Sequence, residues 1–154
     1  MDTRFKALIL DILDKHRIMT VATLRPDGWP QATTVGYVHE GLRLYFLCGA
    51  DSQKAHNLER CDKVSVTIDR DTDEMFGLQG LSMAARAEFI TEPARCSEIF
   101  KKLIAQYPNA PEISEPPLDS VSYVKLTPVA ISVLDYTKGF AHTDLIEIAP
   151  DDLD

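Results

Sequence analysis

Three strand-like runs, two rich in β-branched residues and one in leucines and aromatics, follow one another between Ile18 and Cys48 with almost no chain to spare. They are Ile18–Leu24, Gln31–Val38 and Leu42–Cys48. The first break is Arg25-Pro26-Asp27-Gly28, in which proline presets one turn position and Asp-Gly tolerates positive φ. The second is His39-Glu40-Gly41. A parallel pair needs a crossover of about a dozen residues or more, so these runs can pair only antiparallel. That excludes a doubly wound nucleotide-binding fold, and neither G-x-G-x-x-G nor a Walker motif is present to suggest one.

The remaining elements fit around this meander. Phe5, Leu8, Ile9, Ile12 and Leu13 are spaced for one helix face, so a helix is expected over 3–15, capped by Asp2 or Thr3. Val64–Ile68 alternates as a half-buried strand does, and Leu78–Ile90 can hold a long strand, broken or bulged near Gly80. Thr91 is the expected cap of a further helix, whose core stripe is Cys96, Ile99, Phe100, Leu103, Ile104 and Tyr107. Residues 108–119 carry four of the nine prolines and read as an irregular loop. Val121–Leu126 and Val129–Leu134 read as strands bent or split at Pro128, which cannot donate to a central ladder. The expectation is an α+β chain, mainly antiparallel β, forming a barrel with helices outside. A single domain spans 1–154, with the N-terminal helix in 1–16 and a tail over 141–154.

Net charge −8 argues against nucleic acid and anionic membrane as partners, because both need a basic surface that releases counterions. Three cysteines without C-x-x-C spacing favour a reducing compartment over a disulfide framework or zinc site. With no signal-like or spanning segment, the expected location is the cytoplasm. No Ser-His-Asp order, paired carboxylates or metal motif supports hydrolase chemistry.

One stretch stands out chemically. After the apolar run ends at Gly49, Asp51, Ser52, Lys54 and His56 open a short helix. Such residues are ordinary at a helix start, and Ser52 is an ordinary N-cap. The same geometry also suits an anion. Unpaired N–H groups and the helix dipole attract it, Gly49 allows close approach, Ser52 donates, and Lys54 adds a full charge.

The order Asp27-Gly28, Pro30, Glu40-Gly41, Leu44-Tyr45-Phe46, Ser52-Gln53-Lys54, Asn57-Leu58 and Val64 resembles the pyridoxamine 5′-phosphate oxidase-like family of FMN-binding split barrels. The resemblance is strongest over Met19–Ile68. It implies a split β-barrel of Greek-key type with flanking helices, a homodimer and bound FMN. It places the flavin phosphate against Gly49, Ser52 and Lys54, and the ring along Thr33, Thr34, Val35, Leu47 and Cys48. It further implies that Gln79 and Lys138 reach the pocket from the partner subunit. The family's true oxidase carries an arginine-rich substrate set, whereas Gly-Tyr-Val follows Val35 here.

The activity implied is an oxidoreductase passing hydride or electrons between a reduced nicotinamide, NADH or NADPH, and a small organic acceptor. The alternative is a non-catalytic protein that binds or senses flavin, haem or deazaflavin. His39 and His56 are the haem-ligand candidates, although isolated histidines in turns are usually only solvated. Asn57 reads as a structural polar group, Cys48 as packing beside the ring, and Trp29 as a hairpin-tip aromatic that packs on a partner or shields a ligand.

Overall fold

The computed structural model describes all 154 residues. Helix α1 (Thr3–Lys15) has Asp2 as its cap, accepting from the Arg4 N–H at 2.8 Å, and buries Ile9, Ile12 and Leu13. Strands β1 (Ile18–Leu24) and β2 (Pro30–Gly36) form the first hairpin, with Gly28 at φ +86° in its turn. The return strand does not run unbroken from Gln31 to Val38. It breaks at Tyr37, and β3 (Val38–Glu40) leaves β1 to pair with β4 (Arg43–Gly49). Tyr37 secures the break: its ring is fully buried and its hydroxyl donates to the Leu13 carbonyl at 2.8 Å.

Helix α2 (Gln53–Arg60) leads to β5 (Lys63–Ile68), then β6 (Gln79–Ile90), α3 (Pro93–Ala105), β7 (Val121–Asp135) and β8 (Thr143–Glu147). The strand order is β2-β1-β5-β6-β7-β4-β3, with β8 added to β7 and every pairing antiparallel. The strands at the two ends of this order, β2 and β3, are consecutive in the chain, so the sheet curls into a split barrel. Alternation sends Met19, Val21, Val64, Val66, Met83, Ile131 and Val133 into one core. Outside, the register aligns Thr34, Thr20, Thr67, Ser82 and Ser132 in one row. Ala32, Ala22, Ser65, Ala84 and Ala130 form the next.

The expected split at Pro128 is absent: β7 is one strand of 15 residues. The pairing with β6 shifts register there, Ala84 opposing Ala130 while Ala85 opposes Pro128. Val129 is therefore the extra residue of a β-bulge, the feature that lets proline sit within a sheet. The irregularity of β6 lies at this bulge and not near Gly80. The segment 141–154 is more than a tail, since β8 lies within it and Asp152 receives the Met1 ammonium at 2.6 Å.

Helix α3 covers the other side of β4 and β7, burying Cys96, Ile99, Phe100 and Leu103. Its cap position is Glu92, without a side-chain cap bond, and Tyr107 is 43% exposed, so neither Thr91 nor Tyr107 plays the expected part. Glu40 of β3 ties this helix down by accepting from Arg95 and Lys102. The Arg95 hydrogen bond foremost, with Lys102, holds the Glu40 carboxyl at about 2 against the upward push of burial.

Candidate functional site

The barrel is open along one seam. Arg43–Tyr45 of β4 pair with β3, but Phe46–Gly49 have no strand on that edge. β2, which precedes the break at Tyr37, pairs only with β1. The seam thus runs between the outer edge of β2 and the last four residues of β4. Thr33 and Val35 of β2 and Cys48 of β4 turn toward the interior, and the Thr33 hydroxyl is buried without a hydrogen-bond partner.

Helix α2 crosses the end of this seam. Asn57, fully buried, donates through its amide nitrogen to Thr23 of β1 at 2.9 Å and to Gln31 of β2 at 3.1 Å. Ala55 and Leu58 enter the core beside Cys48. The helix starts at Ser52, whose hydroxyl oxygen accepts from the Ala55 N–H at 3.2 Å. The next two donors, the N–H groups of Gln53 and Lys54, have no acceptor in the chain, as expected for a first helical turn. Lys54 is half-buried, and its ammonium forms no ion pair or hydrogen bond. It projects between the directions of Asn57 and Leu58, three and four residues on, and so toward the seam. A Cβ added at Gly49 would meet only the Ser52 Cβ, at 3.9 Å, leaving the approach open. Amide donors, a hydroxyl and a free cation therefore sit within three residues at the start of α2, a set suited to a phosphate.

The other sequence candidates are distributed differently. Thr34 points to the outer face and Leu47 packs toward α3, on the opposite side of each strand from Thr33 and Cys48. Gln79 and Lys138 lie at the far end of β7. Gln79 donates to Asp135 at 3.1 Å, and Lys138 pairs with Asp144 at 2.8 Å while lying over the Phe5 ring. Within one chain they do not share a site with Lys54. The sequence reading took Asn57 as structural, in agreement with its bonds, but missed Gln31 as its partner. The signal was Gln31-x-Thr33-x-Val35, one inward-facing set on an edge strand. His56 lies 3.3 Å from Asp51, and His39 bridges Asp14 and the Gly41 carbonyl at 3.0 Å each.

The profile of the family described as pyridoxamine 5′-phosphate oxidase matches residues 5–135. A curated relative, general stress protein 26 of Bacillus subtilis, is 29% identical over 83 residues, which cover 54% of this chain and 58% of that protein. The chain thus spans little more than half of that relative. A conserved hypothetical protein of Mycobacterium tuberculosis superposes with TM-score 0.76 at 26% identity, covering 94% of this chain and 91% of the other. An F420 reductase superposes with TM-score 0.64 at 25% identity, covering 79% and 94%. The haem storage protein HutZ from Vibrio cholerae shares the fold, with TM-score 0.64 at 16% identity over 80% and 89% of the two chains. With the split barrel in place and the family profile spanning nearly the whole sheet, the chain belongs to the pyridoxamine 5′-phosphate oxidase-like family.

Proposed function

We propose that the protein is a homodimeric FMN-binding oxidoreductase that moves hydride or electrons between NADH or NADPH and a small organic acceptor. The observation that carries this reading is the concentration of unpartnered donors at the seam: the Thr33 hydroxyl, the Gln53 and Lys54 amides, and the Lys54 ammonium. A buried donor without an acceptor, as the Thr33 hydroxyl is, is costly, and an anionic, polar-edged ligand removes that cost. Bound FMN supplies the hydride and electron chemistry. Lys54, Ser52 and the two amides hold its phosphate at the head of α2, while Gly49 leaves room for it. The Thr33 hydroxyl meets a polar edge of the ring, and Val35 and Cys48 supply apolar wall. Thr34 and Leu47 contribute backbone only, because their side chains face away.

Gln79 and Lys138 come from the second copy. The outer rows of Ala, Ser and Thr let another sheet approach closely, and Ile18, Leu24, Val129 and Leu145 lie exposed beside them. Pyridoxamine phosphate is not the substrate proposed. Arg25 pairs with Asp27 and Arg43 with Asp154, so neither is free to take a substrate phosphate. No helix is long and apolar enough to cross a membrane; we place the protein in the cytoplasm.

The likeness to a haem storage protein and an F420 reductase makes cofactor identity the first thing to measure. Protein purified without added cofactor is expected to show the two visible bands of a flavin, and NADH or NADPH added without oxygen is expected to bleach them. A haem Soret band, a deazaflavin spectrum, or flavin bands unchanged by either nicotinamide would contradict the proposal. Sedimentation at micromolar concentration is expected to show a dimer; a monomer that retains flavin would remove the partner-contributed half of the site.

A further inference from the structure

Asn57 is the middle of a chain of three side-chain amides. Its carbonyl oxygen accepts from the Gln53 Nε2 at 2.8 Å, and its nitrogen donates to Thr23 at 2.9 Å and to Gln31 at 3.1 Å. An amide nitrogen carries two N–H groups, so Asn57 uses both. Gln31 presents its oxygen to Asn57 and turns its own NH2 group away. That group donates to nothing in the chain. Gln31 is half-buried, and its nitrogen, unlike the Thr33 hydroxyl, is not closed off from solvent. Asn57 thus accounts for the oxygen of this side chain and leaves the nitrogen idle.

Position gives the idle nitrogen a use. Gln31 precedes Thr33 by two residues on the same face of β2, a separation of about 7 Å. Asn57 follows Lys54 by three residues, on the adjoining side of α2. The Gln31 amide therefore lies between the head of α2, where the phosphate is placed, and the stretch of β2 placed against the ring. In FMN that interval is spanned by the ribityl chain, whose hydroxyl oxygens accept hydrogen bonds.

We propose, as an extension that rests on the flavin reading above, that the Gln31 Nε2 donates to a ribityl hydroxyl of the bound flavin while Asn57 holds the amide in that orientation. Gln31 is then a cofactor-binding residue that favours a hydroxylated linker between ring and phosphate.

Three ligands with the same ring separate the contacts: FMN, riboflavin without the phosphate, and lumiflavin without phosphate or ribityl chain. Each is titrated by fluorescence into wild type and Gln31→Met, which keeps the length of the side chain and neither polar atom. FMN and riboflavin are expected to weaken by the same factor, about twofold to tenfold for one neutral hydrogen bond. Lumiflavin is expected to bind both proteins alike. Gln31→Met also takes an acceptor from Asn57, so Gln31→Glu, which keeps that acceptor, is measured beside it. Its carboxylate replaces the free NH2 and is expected to weaken FMN more than riboflavin by repelling the phosphate, again sparing lumiflavin. Equal losses for riboflavin and lumiflavin, a loss confined to FMN in Gln31→Met, or unchanged riboflavin binding in that variant would each overturn the proposal. Failure of all three ligands to bind wild type would overturn the flavin reading, and this extension with it.

Discussion

The two ends of β7 use similar residues in opposite ways. At the Asp135 end the polar groups around the carboxylate engage one another. Asp135 accepts from the Thr137 hydroxyl at 2.6 Å and from Gln79 at 3.1 Å, Lys138 lies 3.9 Å away, and Lys138 also holds Asp144. At the Val121 end, beside Gly49 and α2, the Lys54 ammonium, two amides and the Thr33 hydroxyl have no partner. The ends are separated by a strand of 15 residues, roughly 45 Å of extended chain at about 3.3 Å per residue. A polar cluster that satisfies itself holds the fold together. One that does not is available for a ligand, and this contrast separates Lys54 from Lys138 where the sequence alone presents two similar lysines.

The largest expected effect comes from breaking the satisfied end. Asp135→Ala leaves Gln79, Thr137 and Lys138 without their shared acceptor and is expected to cost about 3 kcal/mol of stability. Chemical denaturation measures it, and a loss under about 1 kcal/mol would mean the cluster is incidental. The same group sets an acid response. Burial pushes the Asp135 carboxyl up, but hydrogen bonds from Thr137 and Gln79 and the Lys138 charge outweigh it, leaving the folded value below 3.8. Its contribution is therefore full above the unfolded value, near 4, and is lost as pH falls through the folded value. Asp135→Asn is expected to flatten that part of the acid limb; an unchanged limb would contradict the assignment.

Next in size is Asn57→Ala, expected to cost about 2 kcal/mol by freeing α2 from Thr23 and Gln31. Because Asn57 also orients the helix that carries Lys54, it is the one residue here whose loss should lower both stability and flavin affinity. A stability loss with flavin affinity intact would separate the helix from the site. Smallest is Thr33→Val, which removes a hydroxyl with no partner. Without cofactor the variant is expected to match wild type or gain up to about 1 kcal/mol, while binding flavin more weakly. A clear loss of stability without cofactor would show that Thr33 belongs to the satisfied class.

Much of this contrast was legible in the sequence wherever the determinant is local. The Asp2 cap, the Asp27-Gly28 turn and the Ser52 start of α2 depend on neighbours a few residues apart, and each appears where expected. The break at Tyr37 depends on the Leu13 carbonyl and on β4, so no period within Gln31–Val38 announces it. Pro128 looked like a strand break because the bulge that accommodates it exists only in register with Ala84 and Ala85 of β6. The sheet's alternation settles which of Thr33 and Thr34 faces inward, and consecutive residues read alike until that phase is known. Which polar groups lack partners is equally a property of the assembled chain, so the sequence reading could name Lys54 and Lys138 but not tell them apart.

The account rests on α2 holding a phosphate through Lys54, and fluorescence titration of FMN and riboflavin against wild type and Lys54→Ala tests it most directly. One charge-assisted contact contributes about 1.5–3 kcal/mol, so the variant is expected to bind FMN roughly tenfold to a hundredfold more weakly. Riboflavin, which lacks the phosphate, is expected to bind both proteins alike, and the stability of the cofactor-free protein is expected to be unchanged. Equal losses for FMN and riboflavin, or none for either, would mean that the head of α2 is only a helix start.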